Sequence, residues 1–229
     1  MQVKIDKYNT SLQLFHDVLS KHSCPVIDTA DIMRCISFHQ KGKKSIQCEI
    51  NNLPIYLRNR SSICFKHDGR IVLFINAKIL FFIHPNDNNY IKEYEINILA
   101  QGIEDSKFYY CWHFDQDIPS DEKNLVHPYY HMHCGGRGVK ERNAGEILLF
   151  KAPRIAYPPM DPFLCIHFIF HNFCEKDCYP ELGNIFNDGN YKAIIKFSQD
   201  MLWEPYFNGL GAESSHEVFN RNKLFPMFV

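Results

Sequence analysis

Four histidines and an aspartate between residues 113 and 133 are of types, and at spacings, that bind metal ions or move protons. His113 and Asp115 stand in Y-Y-C-W-H-F-D, and His127, His131 and His133 stand in H-P-Y-Y-H-M-H-C-G-G. In an extended chain, residues two apart point the same way with about 6.6 Å between them. That spacing lets His131 and His133 hold one zinc, iron or manganese ion from a single strand. A third ligand would come from a neighbour, with His113 as the expected one and His127 or Asp115 as alternatives. Without a metal, the same groups suit general acid–base work, because imidazole titrates near neutrality. A third reading is a polar, water-exposed sheet face. The spacing alone leaves all three open.

Parity says which element must carry them. Along Tyr109–Asp115, Cys111, His113 and Asp115 share one face while Tyr110, Trp112 and Phe114 share the other. In the second run His127, His131 and His133 oppose Tyr130, Met132 and Cys134. Paired as a hairpin, the runs put an apolar layer on one side and the imidazoles with a carboxylate on the other. Strands are therefore expected over Lys107–Asp115 and Pro128–Cys134.

The rest of the chain supplies the scaffold. Leu12, Phe15, Val18 and Leu19 recur at helical spacing after the candidate caps Thr10 and Ser11. A second helix is expected from Thr29 to about His39, with Gly42 as its stop. Ser62–Lys66 and Arg70–Ile75 flank His67-Asp68-Gly69, a tight hairpin signal. Lys92–Ala100 alternates Tyr94, Ile96 and Ile98 with Glu93, Glu95 and Asn97, the pattern of a half-solvated antiparallel strand. Glu146–Lys151 reads as one more strand. Three prolines make residues 153–160 a stiff connection that cannot be a central strand. Asp161 then caps a helix through Phe173 that is apolar almost all round and so should be buried. A last helix starts near Asn190, turns Tyr191, Ile194, Ile195, Ser198 and Leu202 inward, and stops at Pro205. Asn208–Asn222 reads as a loop and Leu224–Val229 as a docked tail. The expectation is one α+β domain with a meandering antiparallel sheet over 44–151, N-terminal helices over 1–42, C-terminal helices over 161–206, and a loop and tail over 207–229.

Composition excludes some functions. A formal net charge of −1 gives no global field toward nucleic acid or an anionic membrane. Lys41, Lys43 and Lys44, and Arg58, Arg60, Lys66 and Arg70, form local basic clusters best read as solvated faces. The start lacks the order of a signal peptide, and no apolar run reaches the ~20 residues of a membrane span. The protein is expected to be cytosolic, with its nine cysteines mostly buried free thiols.

Three further groups can do chemistry. Gly135-Gly136-Arg137-Gly138 could bring amides and Arg137 to a phosphate, although a flexible turn is the default. Arg154, in the stiff connection, could aim at an anion or pair with Asp161. His167, His171, Cys174 and Cys178 follow one helical stripe, but eleven residues of helix span about 16 Å, too far for one zinc site. Structural roles are expected for them, or support of the strand histidines by His167 or His171. The usual hydrolase, zincin, P-loop, dinucleotide and EF-hand signatures do not occur.

H-P-Y-Y-H-M-H-C-G-G, followed by P-R-I-A-Y-P-P-M-D and an apolar helix, resembles the signature of an uncharacterised bacterial protein family without an established activity. The aromatic-W-H-x-D then H-P-x-x-H-x-H order, over about residues 108–134, is similar to the small TumE-like toxins of toxin–antitoxin pairs. This chain departs from them in being longer and not basic.

The function expected is a cytosolic bacterial hydrolase acting on phosphodiester bonds or nucleic acid, in a toxin–antitoxin or phage-defence setting. His113, Asp115, His127, His131, His133 and Arg154 would be its catalytic residues and Arg137 an anion-binding one. The competing expectation is a non-catalytic interaction or scaffold subunit whose aromatic surface and C-terminus bind a protein partner.

Overall fold

A computed structural model describes residues 5–58, 70–83, 90–104, 106, 109–117, 128–135, 154–211 and 224. Two helices open it, α1 (Ile5–Lys21) and α2 (Thr29–Cys35). The strands follow: β1 (Ile36–Lys41), β2 (Ser45–Leu57), β3 (Ile71–Phe82), β4 (Ile91–Gly102), β5 (Tyr109–Gln116), β6 (Tyr130–Cys134) and β7 (Ile155–Ala156). They form one seven-stranded sheet in the order β1 to β7, every neighbouring pair antiparallel. Helices α3 (Pro162–Phe173), α4 (Glu181–Asn187), α5 (Gly189–Ser198) and α6 (Glu204–Gly211) complete it, with a π-helical turn at Gln199–Trp203 between the last two. This is the α+β meander expected. Among the described residues no helix is long and apolar enough to cross a membrane, and the cysteines are free thiols.

The core lies between the helices and one sheet face. Tyr94, Ile96 and Ile98 of β4, Phe114 of β5 and Tyr130 of β6 meet Phe163, Leu164 and Ile169 of α3, all buried. Tyr8 of α1 stacks on Phe38, Phe81 and Phe163 at 4.7, 5.3 and 6.4 Å between centroids. A bulge between Ile50 and Leu53 keeps β2 in phase with this core. Ile46, Cys48 and Ile50 point inward before it and Leu53, Ile55 and Leu57 after it, so one residue must be absorbed. Asn52 does so at φ 52°, a left-handed conformation that asparagine tolerates, and its N–H donates to Asn76 Oδ1 at 2.9 Å.

Four sequence boundaries shift. Helix α1 begins at Ile5, so Thr10 and Ser11 lie inside it, and Tyr8 extends its apolar stripe. Helix α2 ends at Cys35, because Ile36 and Phe38 alternate with Ser37 and His39 and pair along β2. Apolar residues at 32, 35 and 36 suit either period, and the partner strand decides. Gly42, at φ +66°, turns that hairpin and stops no helix. Pro205 does not end the chain of helices. The Glu204 N–H bonds Gln199 O, five residues back, and this wide turn relieves the crowding a proline ring causes. Residues 208–211 are consequently helical, not loop. The His67-Asp68-Gly69 turn, the expected strand at Glu146–Lys151, residues 212–222 and the tail beyond Leu224 lie outside the described residues, while Leu224 itself is fully buried.

Candidate functional site

Register assembles the site. His113 lies opposite His133 and Asp115 opposite His131 across β5 and β6. On the other side of β5, Asn97 faces His113 and Glu95 faces Asp115. Strand β7 sets Ala156 opposite His131 and Ile155 opposite Met132, and Arg154, just before it, lies close enough for its charge to act on His133. Directly opposed residues share a face. Two cross-strand rows result: Asn97, His113 and His133, then Glu95, Asp115, His131 and Ala156. Phe114 and Tyr130 occupy the opposite face, buried against Tyr157, Phe168 and Tyr94. The parity expected of both runs is thus present.

Asp115 is the hub. Its Oδ2 lies 3.0 Å from His113 Nε2 and its Oδ1 lies 2.7 Å from His131 Nε2. Half-burial pushes this carboxyl up, but hydrogen bonds from His113 and His131 and their charge outweigh it and hold it below the usual carboxylate range. The far nitrogen of each ring also meets an oxygen. His131 Nδ1 donates to the Pro128 carbonyl at 3.0 Å, and His113 Nδ1 to Asn97 Oδ1. Asn97 Nδ2 in turn donates to Glu95 Oε1 at 3.0 Å.

His133 behaves differently. Burial first, then the charge of His113, push it down to about 4, with His131 and Arg154 adding to the effect and Asp115 opposing it. Its ring is therefore neutral at pH 7, with a lone pair for a cation. The rings of His133 and His113 are 4.8 Å apart between centroids. His113, Asp115 and His133 each offer one ligand atom, and the three atoms lie within 4.8 Å of one another, so this group could hold a metal ion. The expected set of His131, His133 and His113 thus exchanges His131 for Asp115. His131 is 3% exposed and is held between Asp115 and the Pro128 carbonyl.

Arg154 contributes charge here, and no pair with Asp161 forms. Asp161 is fully buried, accepts from Leu164 N–H at 2.9 Å and from Ser198 Oγ at 2.5 Å, and burial pushes it up to about 6. The expected His127 and Arg137 lie outside the described residues. Neither His167 nor His171 supports the strand cluster. Both face α4 and α5, His167 Nδ1 sharing a hydrogen bond with Tyr191 Oη at 2.9 Å and His171 stacking on Phe186 at 4.6 Å. Cys174 is pushed up to about 12 by burial, as an inert thiol would be.

Sequence reasoning missed Asn97, Glu95 and Pro128 as neighbours of the histidines. The alternation of β4 already put Glu95 and Asn97 on its polar face, but only the β4–β5 register names their partners. Comparison with family models, curated proteins and solved structures finds no match for this chain.

Proposed function

We propose that the protein is a metal-dependent hydrolase acting on a phosphodiester or a related anionic ester, with His113, Asp115 and His133 as its ligands. One observation carries the reading. His113 Nε2 and Asp115 Oδ2 stand 3.0 Å apart, and the neutral His133 completes a group within 4.8 Å. Tetrahedral donors on a zinc with bonds of about 2.0–2.2 Å stand about 3.3–3.6 Å apart, so a small side-chain adjustment would close this group on an ion. Zinc, iron or manganese bound there would polarise the ester and lower the pKa of a bound water toward ~7. Arg154, near enough for its charge to act on His133, would supply a planar cation for the negative charge that builds on the phosphoryl oxygens. His131, 3% exposed, would hold Asp115 in place through its 2.7 Å contact.

The same two-histidine, one-carboxylate donor set holds iron in oxygenases. That second reading is separated by whether turnover consumes oxygen. The direct test is hydrolysis of bis(p-nitrophenyl) phosphate by protein loaded in turn with zinc, manganese and iron. Chelator should abolish turnover, and Arg154→Gln should raise KM about tenfold, equivalent to about 1.4 kcal/mol, with metal content unchanged. Turnover that ignores chelator, or survives His133→Ala intact, would contradict the proposal.

A further inference from the structure

Asn97 and Glu95 lie outside the ligand group, yet they control which nitrogen of His113 is available to it. An asparagine amide has two ends of opposite character, a carbonyl that accepts and an NH2 that donates. Here Nδ2 donates to Glu95 Oε1 at 3.0 Å and Oδ1 meets His113 Nδ1. A carboxylate only accepts, so turning the amide over would set its carbonyl oxygen against Glu95 and lose that bond. With Oδ1 held toward the ring, the hydrogen of His113 must sit on Nδ1. Nε2, 3.0 Å from Asp115 Oδ2, is then the nitrogen left to face the ligand group, where a cation would replace the proton it shares with that carboxylate.

We propose that Glu95 and Asn97 form a relay that fixes the tautomer of His113 and so determines the metal affinity of the site. The inference rests on the metal reading above and names two positioning residues for it. Metal-bound histidines ordinarily donate their second ring N–H to a carboxylate, carbonyl or water, and losing that partner costs roughly 10- to 100-fold in affinity. What is particular to this chain is a two-step device. Glu95 is solvent-exposed and lies beyond the ligands, so it acts only through the orientation of the Asn97 amide. Glu95 also lies opposite Lys78 on β3, which gives a control for charge alone.

The test uses the full chain and Zn2+ titration calorimetry, with 15N NMR of the histidines on metal-free protein. Glu95→Gln can donate as well as accept, so the Asn97 amide is free to turn and present NH2 to Nδ1. Affinity for Zn2+ should fall by about 10- to 100-fold, and the hydrogen on His113 should leave Nδ1. Lys78→Met, which alters the charge beside Glu95 without supplying a donor, should leave both unchanged. The double variant Glu95→Gln with Asn97→Asp should restore affinity. A carboxylate at position 97 has no NH2 to misplace, and the amide introduced at position 95 can donate to it. Loss in both Glu95 variants, or in Lys78→Met as well, would overturn the relay in favour of simple charge. So would a Glu95→Gln protein that binds zinc like the wild type and keeps the hydrogen on Nδ1. Should the wild type bind no zinc, the metal reading fails on its own, and the nitrogen that carries the hydrogen in Glu95→Gln still decides the relay.

Discussion

In the proposed reading His133 carries the cation-binding side of the site, because burial and its neighbours hold its ring neutral at pH 7. Asp115 holds His113 through a 3.0 Å hydrogen bond at one oxygen and meets His131 Nε2 at 2.7 Å with the other. Such a carboxylate cannot drift, and this restraint preorganises the group for an ion. Replacing His133 by Ala should lower affinity for zinc by at least about 100-fold, beyond what losing an outer partner costs. Thermal stability should change by less than about 1 kcal/mol, since the side chain lies opposite the core layer. Calorimetric titration and thermal unfolding read the two effects separately. Affinity within a few-fold of the wild type would remove His133 from the ligand set. At this scale the histidines and Asp115 were legible in the sequence, because a period of two is insensitive to where a strand begins. That Asp115 joins His113 and His133 within reach of one ion was only one of the alternatives the sequence offered, because it depends on the strand register.

At the scale of elements, the outcome turned on partners. The cap at Asp161, the proline after it and the all-round apolarity of α3 specify a buried helix, and such a helix forms. The α2–β1 boundary and the passage through Pro205 were not legible, because a paired strand and a π turn answer to contacts absent from any local window. His167 belongs to α3 as a structural group. Burial, then the nearby charge of His171, push it down to about 4. An unfolded chain takes up that proton near pH 6.5, whereas the folded protein does so only near 4. The contribution of His167 is thus fully present above pH 6.5 and is lost as pH falls toward 4. Asp161, pushed up to about 6 by burial, acts oppositely, losing stability as pH rises from its unfolded value of ~3.9. Comparing variants isolates the histidine. His167→Gln should cost about 1 kcal/mol at pH 7 through the Tyr191 hydrogen bond. It should also flatten the loss of stability between pH 6.5 and 4.5, leaving bound metal in place. Loss of metal with unchanged stability would reverse the assignment.

Across the whole molecule, helices cover one face of a seven-stranded sheet and the other face carries the polar rows. A net charge of −1 offers no long-range pull on an anionic ester, so attraction must be local, from Arg154 and the metal site. An ion that binds the folded chain and not the unfolded one stabilises it by mass action, by about 2.7 kcal/mol at a hundredfold excess over Kd. The most direct measurement is therefore metal stoichiometry. Protein purified without chelator, and zinc-titrated protein, would be analysed for elements and for melting temperature beside the double variant His113→Ala with His133→Ala. The account predicts one divalent transition metal per chain in the wild type, a melting temperature that rises with zinc, and neither effect in the folded double variant. Equal metal content in the two proteins, or none in either with identical melting curves, would contradict it.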